Sequence, residues 1–191
     1  MMDTNASNNH LYSYWFANYP QSFTVPACNT DSEIAMLEAM ALSDHSLLRF
    51  ICIYYGYVWG KSGHVRLFGG KNNNCMSLFE VNNLENGYTV FNGVLIIATT
   101  SEGGLFALNF SKTTGANLGE VRFLPAKSLN WEKLGIGYKA FCKWALGVSE
   151  SDLVSSGWIE PYTKKKTPIE QDRLVKGKVC VLESVAERSG D

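Results

Sequence analysis

Between Gly93 and Gly147 the chain passes through three apolar, strand-like segments and then into one amphipathic helix, and this order constrains the fold more than any other feature. The first part reads GVLIIATTSEGGLFALNF and the second GEVRFLPAKSLNWEKLGIGYKAFCKWALG. Strands are expected over Thr89 to Thr100, Leu105 to Phe110 and Glu120 to Leu124. Gly103 and Gly104 suit a tight hairpin, because glycine reaches positive φ without a side-chain clash. Tyr138 to Leu146 reads as a helix with Tyr138, Phe141, Cys142 and Ala145 on one face and Gly147 as its stop. Strands joined by short turns pair antiparallel, so the helix must close over one face of an antiparallel sheet.

Upstream, Leu11 to Tyr19 fits a short helix with Tyr12, Trp15, Phe16 and Tyr19 on its apolar side, followed by FTVPA as an extended link. Thr30, Asp31, Ser32 and Glu33 have the spacing of a capping box, with Thr30 as N-cap. Behind it Ile34, Leu37 and Ala41 share a face, flanked by Met36 and Met40. Phe50 to Tyr55 and Tyr57 to Trp59 are rich in β-formers, with Gly56 as a turn or bulge between them. HVRLF is a short alternating strand that closes at Gly69 and Gly70, KNNNC is a loop tip, LFEV carries no decisive pattern and NNLENG is a loop. The sum is an α+β single domain: an antiparallel sheet of about five to six strands, an N-terminal helix pair and a C-terminal helix. Residues 1 to 10 read as a polar, frayed start, 11 to 160 as the domain, and the basic, polar stretch from Pro161 to Asp191 as a divergent tail.

A chain of 191 residues is long enough for a real core. Its formal charge is −1, so no basic excess is present to neutralise phosphates, and a nucleic-acid surface is not expected. The five cysteines, at 28, 52, 75, 142 and 180, are odd in number and none has CxxC spacing, which speaks against a disulfide framework and a structural zinc site. The start, MMDTNASNNHLYSYW, lacks the positive flank and apolar run of a signal peptide. No apolar stretch approaches the roughly 18 residues of a membrane helix, and a cytoplasmic location is expected.

The residues Gly103, Gly104, Phe106, Ala107 and Asn109, then Trp131, Glu132, Leu134, Gly135, Gly137 and Tyr138, then Phe141 and Trp144, follow a recognisable order. Over roughly residues 10 to 160 the chain resembles a bacterial family known as domain of unknown function 2625. The resemblance implies no activity. It does imply an acidic pair ahead of the Gly-Gly turn, where this chain has Thr99 and Thr100. The order of elements is also distantly similar to the SUKH superfamily, which implies a SUKH-like fold and an immunity-type role against a toxin.

Motifs of chemistry are sparse. GYVWGKS, from Gly56 to Ser62, has one residue too few between its glycines for a phosphate-binding loop and carries bulky side chains there. Gly135 to Ala140 spells GxGxxA, but no βαβ context surrounds it, and a flexible lead-in capping the helix is the better reading. His10, His45 and His64 lack the i, i+4 partner of a helical zinc site. Cys75 reads as an exposed loop thiol.

Accordingly no enzyme activity, no metal and no cofactor are expected, and a non-catalytic protein-binding module is the first reading, its partner a protein such as a nearby encoded toxin. Glu102, Asn109, Trp131, Glu132, Tyr138 and Trp144 are the candidate contact residues, while Gly103, Gly104, Gly135, Gly137 and Phe141 read as structural. The alternative is a small-molecule-binding or enzymatic domain. Its pocket would lie between the sheet and the Tyr138 helix, with Asn109, Glu132 and Tyr138 as polar groups.

Overall fold

A computed structural model describes residues 12–14, 16, 23–43, 46–60, 63–84, 93–110 and 117–148. In these residues strand β1 (Phe23–Pro26) leads to helices α1 (Asp31–Ala39) and α2 (Leu47–Tyr54). Then come β2 (Tyr55–Gly60), β3 (Val65–Phe68), the short helix α3 (Leu78–Val81), β4 (Val94–Thr100), β5 (Leu105–Asn109), β6 (Glu120–Leu124) and β7 (Glu132–Gly137). Helix α4 (Tyr138–Ala145) follows at once. The strands form one seven-stranded sheet in sequence order, every neighbouring pair antiparallel. The α+β architecture with an antiparallel sheet therefore stands, with one strand more than expected. Two strands add to the expected set, β1 within the extended link FTVPA and β7, which takes in the first half of the GxGxxA segment, while Phe50 to Tyr55 is lost from it.

That seventh strand is legible in retrospect. In EKLGIG, Leu134 and Ile136 are buried and the residues between them are exposed, the period-two pattern of a half-buried strand. Gly135 and Gly137 are thus strand residues rather than a flexible lead-in, although Gly137 does serve as N-cap of α4. A second correction concerns Phe50 to Tyr55, which the β-rich composition assigns to a strand. It belongs mostly to α2, capped by Ser46, whose hydroxyl accepts the Arg49 N–H at 3.3 Å. Leu47, Leu48, Phe50, Ile51 and Cys52 are all buried there, and packing overrides the local preference of aromatic and β-branched residues. LFEV is helical because Ser77 and Glu80 form a capping box. The expected box on α1 is present, the Thr30 N–H donating to Glu33 Oε2 at 2.7 Å.

Register assigns the two faces of the sheet. Val58, Leu67, Ala98, Phe106 and Phe123 lie in one row across β2 to β6. Phe141 and Trp144 of α4 close over it, their rings 4.7 and 5.7 Å from Phe106. The close approach of α4 makes Gly60 obligatory, since a Cβ there would lie 1.9 Å from the Ala145 carbonyl oxygen. The other face carries the row Trp59, Arg66, Thr99, Leu105 and Leu124. Both faces of β3, β4 and β5 are buried. Helix α1 is fixed to the sheet end by Asn29, which donates to Cys52 O at 2.8 Å and accepts from Lys71 N at 2.8 Å.

Of the helix expected over Leu11 to Tyr19, Tyr12–Tyr14 and Phe16 are helical, with Tyr12 and Phe16 packed on Phe50. Its other residues, His10, His45, Cys180 and the whole segment from Ser149 lie outside the described residues.

Candidate functional site

The expected contact residues do not converge. Glu102 is exposed at the tip of the β4–β5 hairpin, while Asn109 is fully buried at the end of β5 and donates to Asn117 O at 3.0 Å. By strand alternation Asn109 belongs to the face away from α4, so it cannot line a pocket with Tyr138. Trp144 is a core ring with 2% exposure, packed on Phe106 and Phe141. Tyr138 turns its hydroxyl inward beneath α4. Burial first, and then the Cys142 and Cys52 sulfurs, push the phenol well above its usual value. The Tyr138 hydroxyl oxygen is buried with no hydrogen-bond partner among the described residues. Phe106, Phe141, Cys142 and Trp144, all buried, pack between the sheet and α4, where the alternative reading expects a pocket.

Thr99 and Thr100 are both buried and both serve the turn they precede. Thr99 donates to Gly104 O at 3.1 Å, and Thr100 Oγ1 accepts the Gly104 N–H at 2.9 Å. Gly103 has φ +87°, the left-handed geometry expected of this hairpin. His64 stands beside the same turn, its Nδ1 3.4 Å from Ser101 Oγ.

Two groups of side chains do assemble, both on the face away from α4. At the β6–β7 end, Arg122 lies over the Trp131 ring, Cζ to centroid 5.7 Å. Trp131 is half-buried, and Arg122 Nε is buried with no hydrogen-bond partner among the described residues. Beside them Lys133, Gly135 and Gly137 leave the outer side of β7 exposed. Glu120 orders this end, accepting the Gly135 N–H at 3.2 Å and the Asn117 N–H at 3.1 Å.

At the β2–β3 end sits Arg66, 4% exposed, with the Trp59 and Phe68 ring centroids 5.6 and 5.0 Å from Cζ. Its guanidinium reaches the Cys75 sulfur, which also meets the Tyr57 hydroxyl. No carboxylate contacts Arg66 among the described residues, and its Nε is unpartnered. Burial lowers the guanidinium from its usual value, and burial raises the Cys75 thiol although Arg66 pulls it down. Both shifts favour the neutral forms, yet an arginine stays charged in proteins. Cys75 is held by Asn72, whose Oδ1 accepts the Cys75 and Asn74 N–H groups at 2.9 and 3.0 Å. Cys75 is therefore half-buried and engaged, not a free loop-tip thiol. The signal for this cluster lies in the sequence: Arg66 is the lone charge in the apolar strand VRLF, opposite the equally apolar YVW.

Among the described residues no group of three or more His, Cys, Asp or Glu side chains could hold a metal ion, and no helix is long and apolar enough to cross a membrane. The fold defines an α+β protein built on an open antiparallel meander, with helix α4 on one face and two arginine–tryptophan pairs on the other. The chain matches the profile of the family described as protein of unknown function DUF2625 over residues 1–159, and it belongs to that family. No curated protein and no solved structure matches it.

Proposed function

We propose that the protein is a binding module that recognises a partner protein through the β6–β7 end of its sheet. The observation that carries this reading is the Arg122–Trp131 pair beside the exposed side of β7. Tryptophan and arginine are the residues that most often dominate binding energy when a partner closes over them. Arg122 Nε offers a donor that a partner's oxygen can take up, and Gly135 and Gly137 leave backbone open to close approach. The distant SUKH-like order of elements favours a toxin as that partner and an immunity-type, cytoplasmic role.

The test is affinity capture with the tagged full chain from lysate of its own cell, followed by mass spectrometry. A stoichiometric protein partner should be retained by the wild type and by Glu38→Ala on the exposed side of α1. It should be lost by Trp131→Ala and weakened at least about tenfold by Arg122→Ala, as expected for residues at an interface centre. Equal capture by Trp131→Ala, or no stoichiometric partner, overturns the reading.

A further inference from the structure

We propose that Arg66 anchors a second binding site, a receptor for the carboxylate of a small monoanionic molecule, formed with Tyr57 and Cys75 on the sheet face opposite α4. This site goes beyond the partner-binding reading and is independent of it. Arg66 stands on β3 and Arg122 on β6, three strands apart or about 14 Å at the usual strand spacing.

The argument begins from charge. A cation removed from water is costly unless an anion or a full set of acceptors replaces the lost hydration. Arg66 is 4% exposed, and the described residues give it two aromatic rings and one sulfur. Rings attract the guanidinium face, and they leave its in-plane N–H groups unsatisfied. The unpartnered Nε is the donor that pairs with a neighbouring Nη in side-on, two-point recognition of a carboxylate. The neighbouring polar groups are of the same kind. The Tyr57 hydroxyl and the Cys75 thiol each carry a donor hydrogen, and neither brings negative charge while protonated.

The count of charges selects the ligand class. One guanidinium with neutral donors balances a single negative charge, which suits a carboxylate. A phosphate dianion would leave net charge buried. The aromatic surroundings, Trp59 and Phe68 with Tyr57 beside them, favour a carboxylate borne on an apolar or aromatic body. Cys75 is the half-buried member and marks the side open to solvent, with Asn72 fixing the loop that carries it. Thr99 supplies the control. It is the cross-strand partner of Arg66, close enough for a carboxylate at that position to satisfy the guanidinium from within the chain.

The experiment is thermal unfolding of the purified full chain in sodium acetate and sodium benzoate, against chloride, sulfate and inorganic phosphate at matched ionic strength. Benzoate, and more weakly acetate, should raise Tm saturably, by about 5 to 11 °C at a hundredfold excess over Kd. Arg66→Met, which removes the buried charge, and Thr99→Asp, which provides an internal carboxylate, should both lose that response. Arg66→Lys keeps the charge without the fork and should bind benzoate about tenfold more weakly. A wild-type Tm unmoved by either carboxylate overturns the proposal. So does an equal response in any folded variant among Arg66→Met and Thr99→Asp, and so do equal shifts with sulfate and phosphate.

Discussion

Glu33 shows how one side chain can carry several duties. It is buried, yet its carboxylate accepts from the Thr30 N–H and hydroxyl and meets Lys71 Nζ at 3.2 Å. Burial by itself would raise its pKa, but the Thr30 hydrogen bonds and the Lys71 charge outweigh it, and the carboxyl lies below its usual value. A depressed folded-state pKa means stability that is present above the unfolded value, about 4.3, and lost as pH falls through the folded one. Glu33→Gln should therefore cost about 1 kcal/mol at pH 7, the scale of one N-terminal cap plus a half-exposed ion pair. Urea unfolding of the two proteins should converge only as pH falls below the lowered folded-state pKa, where both side chains are neutral. A gap that stays constant from pH 7 to pH 3 would refute the charge-based account. Two residues beyond α1, Ala41 has φ +51°, a conformation costly for any side chain. Ala41→Gly should stabilise by about 0.5 to 1 kcal/mol, read from the same urea transitions.

At the scale of elements, the meander depends on what happens where strands stop matching. β3 pairs with β4 only as far as Leu67 and Ala98, and the β4–β5 register shifts between Ile96 and Ala98. The backbone of Ile96 is then satisfied by a side chain. Asn82, immediately after α3, accepts the Ile96 N–H at 2.7 Å and donates to the Ile96 carbonyl at 2.8 Å. It also donates to Leu78 O at 2.9 Å, so one fully buried amide joins α3 to the centre of the sheet. Asn82→Leu would strand these backbone groups without water and should cost about 3 kcal/mol or more. Amide hydrogen exchange at Ile96 should accelerate beyond the global loss of stability; unchanged relative protection would show that Asn82 is dispensable. The sheet edges carry their own safeguards. β1 ends in Pro26, and β7 places Lys133 and the left-handed Gly135, φ +70°, along its length.

For the whole molecule, the core runs without interruption from the aromatic residues Tyr12 and Phe16 through α2 and the sheet to α4. Cys52 and Cys142 lie inside it with no exposure, and burial pushes the Cys52 thiol up to about 12 and the Cys142 thiol higher still. Cys28 is exposed. A thiol reagent at pH 8 should therefore modify Cys28 within seconds to minutes, while Cys52 and Cys142 react only at the rate of global unfolding. Peptide mapping after timed labelling distinguishes them, and early modification of either core thiol would show that α2 and α4 open locally.

The local grammar of the chain was legible in its sequence wherever a short-range cause sufficed. The Thr30–Glu33 box, the Gly103–Gly104 hairpin, the three strands around it and the apolar face of α4 each follow from spacing within a few residues. Composition misassigned α2, because aromatic and aliphatic residues that favour a strand in isolation were recruited into a buried helix. Asn109, Tyr138 and Trp144 looked like neighbours on paper, and strand alternation sends Asn109 to the opposite face while packing sinks Trp144 into the core. Arg66 and Cys75 are nine residues apart in the chain, Arg122 and Trp131 likewise, and nothing in that spacing brings them together. The pairing of β6 with β7 does so for the second pair, and the loop that Asn72 holds folds Cys75 back onto Arg66 for the first. The sequence by itself determined the elements, whose hydrogen bonds are local. The tertiary structure decided which side chains share a face, because that depends on register between strands and on which face the helices cover.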